Sequence, residues 1–424
     1  MSLRPSPPGA ALAAALALHA GGAAAQTLFW STQAQPLEET QGMREQVLAG
    51  FEGEVDYQAS EPGPWLTRLQ AELQAGEGPI DLLGALHGDF AAIPDDLVDL
   101  GALGIAAENV QPSMMELGRL GTEEQKYVPW MQATYVMAAN REALDYLPEG
   151  ADLDALTYDQ LIEWARTLAE ETGGPKLGFP AGPDGLKNRF FQGYLLPAYT
   201  GSMVTEFNSE AAVEAWETFR ELWQHTTPAS TNYGFMQEPL LNDQVWVAWD
   251  HTARLAEAFN QRPDDFVAFP APAGPEGRAY MPVIAGMAIP TTAADQEDAL
   301  ALMSYMLQPE TQIATLRATN FFPVVEGVEL PEDMPASVRA AGEAIAAMTG
   351  AEDALPALLP VGLGDLGGQF NQVYTDTFER IVLGGQEIPQ VLEQQAEELR
   401  RIIEEAGAPC WAPDEPSEGP CPVN

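Results

Sequence analysis

From Thr27 onward, short apolar runs alternate with stretches in which apolar residues recur every three or four positions. The run TLFWS (Thr27–Ser31) reads as a strand, and Met43, Val47, Leu48 and Phe51 then share one helical face. A second strand follows at Glu54–Gln58, then a helix carrying Leu66, Leu69 and Leu73 on one side, then the apolar strand PIDLLGAL from Pro79 to Leu86. Strand, helix, strand, helix, strand predicts a parallel sheet with covering helices.

Between Tyr127 and Asn140 the stretch YVPWMQATYVMAAN is extended with a proline inside it, which suits a chain passing from one lobe into a second. TYDQ at Thr157–Gln160 is a capping-box pattern that opens the helix LIEWARTLAEE, and TGGP at Thr172–Pro175 stops it. The next helix starts near Ser209 and places Val213, Trp216, Phe219 and Trp223 at helical spacing, which makes its tryptophans core residues. QVWVAWD and FVAF read as strands around the helical ARLAEAFNQ, and MPVIAGMAIP is a further strand broken at Gly286. Helical patterns follow over about Asp295–Leu307, Pro309–Asn320, Gly368–Leu383 and Ile388–Ala406.

Residues ahead of the first strand change the picture. MSLRPSPPGAALAAALALHAGGAAAQ has a positive charge at Arg4, an apolar run from Ala10 to Ala20 and small residues at Ala23 and Ala25. That is the pattern of a secretory leader cut near Ala25. The apolar run is about half of the roughly 20 residues a bilayer crossing needs. No cysteine follows it to take a lipid, so the expectation is a soluble chain released into a periplasm. In such an oxidising compartment Cys410 and Cys421, which flank the Pro-rich tail CWAPDEPSEGPC, are expected to form a local disulfide.

About 400 mature residues exceed what one core supports, so two domains are expected. Loss of the leader removes Arg4 and no acid, leaving 18 basic against 63 acidic side chains, a balance of −45. That disfavours nucleic acid and anionic membrane surfaces as partners. Only Lys126, Lys176 and Lys187 are lysines, and the acids are scattered. Such a surface suits a high-salt exterior, where the Debye length shortens toward ~3 Å at 1 M, and equally an ordinary acidic exported protein.

No serine sits in a GxSxG elbow, and HExxH, an EF-hand loop, a phosphate-binding GxxxxGK and a strand-linked GxGxxG are all missing. Neither a metal nor a cofactor is therefore expected. With 63 acids a carboxylate pair for glycoside hydrolysis is compatible with the composition, though nothing singles one out. What recurs is aromatic and planar polar residues at strand ends. These are Trp30, Ser31, Thr32, Gln33 and Gln35 after the first strand, Trp65 before a helix, His87 and Asp89 after the third strand, Trp130 at the crossing, and Trp249 and Asp250 in VWVAWDH. Asn188, Arg189, Gly286, Met287 and Asn320 complete the candidate set. In open α/β sheets ligands bind beyond the carboxyl ends of the strands. A sugar offers apolar faces to aromatic rings and hydroxyls to Asp, Asn and Gln.

The order of these segments resembles the extracellular solute-binding proteins of ABC sugar importers, the group that includes maltose-binding protein. YVPWMQATYVMAANREALDYL followed by LTYDQLIEWARTLAEETG is similar to the family's crossing strand, turn and capped helix, with Asn140-Arg141 for the usual Asn-Lys. LLNDQVWVAWDH, and MPVIAGMAIP with the helices, PETQ and FFPVV that follow it, match later segments, although Trp249-Asp250-His251 replaces a Gly-Trp loop. The resemblance implies a two-lobed α/β fold of type II, each lobe a mainly parallel sheet flanked by helices. The first lobe would comprise 26–129 and 284–326, the second 130–283 and 327–406, with a tail at 407–424. It further implies a monomer that binds a disaccharide or short oligosaccharide between the lobes and delivers it to a membrane permease without chemistry. The alternatives are a cationic solute suited to Asp89 and Asp250, a phosphorylated solute held by Arg68, Arg189 or Arg254, and, from a different class, an exported glycosidase.

Overall fold

The computed structural model describes residues 26–33 and 37–424. The expected leader and Gln35 lie outside the described residues.

Two principal sheets organise the chain. The first has the order β2-β1-β3-β10-β4, with β1 at Thr27–Ser31, β2 at Val55–Ala59, β3 at Leu82–Leu86, β4 at Val128–Ala133 and β10 at Val283–Ala288. The second has the order β6-β7-β5-β8, with β5 at Tyr135–Asn140, β6 at Leu177–Gly178, β7 at Val247–His251 and β8 at Phe266–Phe269. A small parallel pair joins β9 (Arg278–Tyr280) to β11 (Ala354–Pro356). Every residue of β5, β7 and β10 is buried, so these strands are covered on both faces.

The parallel pairing expected for most of each sheet holds for β1 with β2 and β3 and for β6 with β7. It fails elsewhere: β10 runs antiparallel to β3 and β4, and β5 runs antiparallel to β7 and β8. The cause lies in the path. β5 leaves the crossing, β7 and β8 run back toward it, and β10 enters the first sheet from the second. Gly286 does not break β10; it marks a register irregularity against β4, where the rings of Tyr127 and Phe90 occupy the space a Cβ would need.

Helices cover the sheets where the apolar spacing predicts them. Thr157 and Gln160 make the reciprocal cap of Tyr158–Thr172, the Gln160 N–H donating to Thr157 Oγ1 at 3.3 Å, and Gly173 (φ 81°) ends that helix. Glu210–Gln224, Gly367–Phe378 and Ile388–Ala406 pack together, with Trp216 fully enclosed. The helix Ala336–Thr349, against β8, has no counterpart in the sequence reading, because its alanine-rich face gives little contrast.

The chain crosses between the sheets three times, and the crossings are bonded to one another. Thr134 Oγ1 donates to the Met281 carbonyl (2.9 Å), and Gln132 Nε2 donates to the Pro323 carbonyl (2.9 Å). Buried Gln312 fixes the third crossing. Its Nε2 donates to the Trp130 carbonyl (2.6 Å) and the Met306 carbonyl (2.8 Å), and its Oε1 accepts from the Val324 N–H (3.0 Å). At the far end Cys410 and Cys421 form the expected disulfide.

Candidate functional site: the cleft between the lobes

A cavity of about 1050 Å³ opens between the two sheets. One wall is the start of the helix Pro62–Ala75, with Trp65 and Arg68, together with Leu86, Gly88 and Asp89 at the carboxyl end of β3. The opposite wall belongs to the second lobe and carries Arg189, Leu359, Pro360, Leu363 and Asn371. At Gly88 the two walls touch, since a Cβ there would collide with the Pro360 carbonyl oxygen.

Polar side chains are held in place on both walls. Asp89 accepts the Leu86 N–H at 3.2 Å, and burial raises its carboxyl to about 6 even though Arg189 opposes the shift. Arg189 Nη1 donates to Gln192 Oε1 (3.1 Å), and Gln192 Nε2 donates to Asn371 Oδ1 (2.9 Å). Trp30 and Trp65 donate their indole N–H groups to each other's backbone carbonyls, at 3.3 and 3.1 Å. The Arg68 guanidinium lies 4.4 Å from the Trp30 ring and donates to Gln58 Oε1 (3.0 Å). Ser31, Thr32 and Gln33, which like Trp30 are not part of the cavity lining, are buried and bonded among themselves, with Ser31 Oγ donating to Gln33 Oε1 at 2.6 Å.

Three of the residues read from strand ends and the candidate set, Trp65, Asp89 and Arg189, thus come together at one cavity. Others do not. Trp249 is fully buried, stacked 4.8 Å from Tyr135 with Phe190 and Tyr194 against its edges, and is a core residue. Asp250 is also fully buried; its carboxylate accepts the N–H groups of Met236 (2.9 Å) and His251 (2.7 Å) and anchors that loop. Trp130 and Met287 lie in the core as well, Trp130 beside Phe29. Gly286 serves packing, and Asn320 ends a helix at φ 58° while accepting the Ser337 hydroxyl. His87 is buried and bonded to the Tyr127 hydroxyl at 2.7 Å, so burial lowers it to about 4 and keeps it neutral. Asn188 sits beside Arg189 on the helix Lys187–Phe190, half-buried and off the cavity lining.

Sequence reading missed Glu39. It stands in the first turn of the helix Leu37–Gly42, where acids ordinarily face water, yet it is buried and its carboxyl is raised by that burial against the opposing charge of Arg254. Arg254 belongs to the second lobe, where it donates to the Gly234 carbonyl (3.0 Å) and lies 4.2 Å from the Phe235 ring. No signal in the pattern separates Glu39 from the solvated Glu38. Among the described residues no group of three His, Cys, Asp or Glu side chains is placed to hold a metal ion.

Residues 33–313 match the family model of the bacterial extracellular solute-binding proteins. No curated protein matches the sequence itself. Among solved structures the chain is similar to maltose-bound MalE3 of T. maritima (17% identity, 89% of this chain and 100% of that one, TM-score 0.69). It is also similar to the sugar-binding protein MalE of Xanthomonas citri (16%, 89% and 97%, TM-score 0.70). UgpB of Mycobacterium tuberculosis in complex with glycerophosphocholine is a third likeness (18%, 90% and 98%, TM-score 0.67). At these identities the likenesses establish the two-lobed fold. With the family match covering most of the sequence and a cleft built between two lobes, the chain belongs to the bacterial extracellular solute-binding proteins, the receptor components of ABC importers, and is a binding protein rather than an enzyme.

Proposed function

We propose that the protein captures a neutral carbohydrate, a disaccharide or short oligosaccharide, in the interlobe cavity and delivers it to a membrane permease. The observation that carries this reading is Asp89 from one lobe and Arg189 from the other lining the same cavity. A carboxylate accepts and a guanidinium donates, so the pair engages vicinal hydroxyls without favouring a net charge. The two groups reach one solute from opposite lobes, which gives the closed form the differential affinity that closure requires. The cavity volume is at the upper end of small-molecule sites, about 300–1,000 Å³.

In this reading the lobes, expected to be 26–129 with 284–326 and 130–283 with 327–406, meet instead at the crossings beside Thr134 and Met281, since Val128–Ala133 and Val283–Ala288 pair in the first sheet; the leader is removed near Ala25, and the mature chain acts as a periplasmic monomer. A phosphodiester is the second reading, because Arg68 and Arg189 both face the cavity and the neighbour UgpB is in complex with glycerophosphocholine.

Calorimetric titration of the mature chain, at low and high salt, against mono- and disaccharides, a polyamine and glycerophosphocholine tests both. Binding of a sugar near micromolar, about −8 kcal/mol, that is lost in Arg189→Ala supports the proposal. Binding of glycerophosphocholine or the polyamine alone would overturn the carbohydrate class.

A further inference from the structure

We infer that the C-terminal tail, closed by the Cys410–Cys421 disulfide, is a positioning element for the second-lobe wall of the cleft; this rests on reading that cavity as the solute site. The wall segment from Leu358 to Leu363 follows the end of the β11 ladder, where the Ala357 N–H donates to the Tyr280 carbonyl (2.8 Å), and belongs to no strand itself. The tail supplies what a strand would. The Leu358 N–H donates to the Ala412 carbonyl (2.9 Å), next to the cavity-lining Leu359. Gly362 lies against Ala408 and Pro409. The Trp411 ring stands 5.6 Å from Phe370, the neighbour of cavity-lining Asn371.

The tail is itself fixed at its other side. Asp414, only 4% exposed, accepts the backbone N–H groups of Met203 (2.8 Å), Val204 (3.1 Å) and Thr205 (2.8 Å) and the hydroxyls of Ser202 and Thr205. Trp411 Nε1 donates to Met203 Sδ, and the Cys421 N–H closes on the Ala408 carbonyl (2.8 Å). A segment without helix or strand, bonded on one side to 202–205 and on the other to the wall, keeps its shape through the disulfide that closes it. The route ends at a ligand-facing group, because Asn371 holds Gln192 and Gln192 holds Arg189. The tail thus sets where the Arg189 guanidinium points.

Hydrogen exchange read by mass spectrometry on the full mature chain tests this without any solute. In a Cys410→Ser/Cys421→Ser double variant, exchange in 202–206 and 357–371 should quicken by about tenfold or more, as for a locally released unit, while β1–β3 keep parental rates. Asp414→Asn, which leaves the disulfide intact, should give the same pattern, and it decides the matter alone if the double variant does not fold. Parental exchange in 357–371 despite faster exchange in 202–206 would overturn the inference, as would acceleration spread evenly over both lobes. Since no ligand enters the measurement, failure here leaves the solute reading standing, and failure to bind sugar leaves this result standing.

Discussion

At the scale of the residue, the cleft separates groups that hold a solute from groups that hold the fold. In the proposed reading Asp89 serves the solute: with its carboxyl raised to about 6, one of its two acceptor oxygens takes a proton as pH falls through that value. Sugar affinity is therefore expected to drop below about pH 6 in the parent, and in Asp89→Asn to be weaker by about tenfold (one lost charge-assisted bond,) but flat with pH. Titrations at pH 7.5 and 5 check this; parallel pH profiles in the two proteins would refute it. Trp249 serves the fold. Trp249→Ala should cost about 3–5 kcal/mol of stability by opening a cavity in an aromatic cluster, seen as a shifted urea midpoint. If the variant keeps its midpoint and loses only affinity, Trp249 is a cleft residue after all.

At the scale of the element, the buried amide of Gln312 explains why PETQ is followed by a fixed return of the chain. It satisfies two carbonyls and one N–H on three separate segments. Gln312→Leu matches the size, leaves these groups unpaired, and should cost at least ~2 kcal/mol, since each orphaned buried group costs about 1–3. Denaturant unfolding measures it, and a change below ~0.5 kcal/mol would sink the argument. Elements with strong contrast were legible in the sequence: β1 and the capped helix after Thr157 stand within a residue or two of where the pattern puts them, and β3 ends where expected, whereas the crossing, expected at Trp130, comes at Thr134, after β4 is complete. Helix Ala336–Thr349 was not, because alanine marks no face, and β9 and β11 are too short to show a period. The site was legible only in part for a related reason. Residue types at element ends mark Asp89 and Trp65, and Arg189 is in the candidate set, but these types cannot tell that β7 is covered on both faces, which turns Trp249 and Asp250 inward. Nor can they tell that a helix start is buried, which hides Glu39.

At the scale of the whole molecule, closure and pH stability follow from contacts already described. Gly88→Val should prop the walls apart at Pro360, so that a ligand-bound variant keeps the larger radius of gyration of the open form in small-angle scattering. Compaction equal to the parent's would contradict it. His87 and His251 are held neutral, lowered to about 4 and about 3 by burial, with Arg254 adding to the effect at His251. Below about pH 6.5 the unfolded chain binds protons that the fold refuses, so both histidines withdraw stability as pH falls from there. Asp89 and Asp250, raised to about 6, return some of it at lower pH by taking protons in the fold. His251→Gln keeps an acceptor for the Ala253 N–H and should flatten the decline between pH 7.5 and 5.5 in urea midpoints; an unchanged slope would argue that His251 plays no part. The position of β10 between β3 and β4 bears on the order in which the molecule comes into being. Until residue 288 has emerged, β4 has nothing to join, and the first sheet exists only as the fragment β1–β3. A chain made from its N-terminus onward therefore already contains β5–β9 of its later part before its first sheet can complete. The interleaved strand order thus holds back completion of the first sheet and brings the slow assembly of long-range pairing.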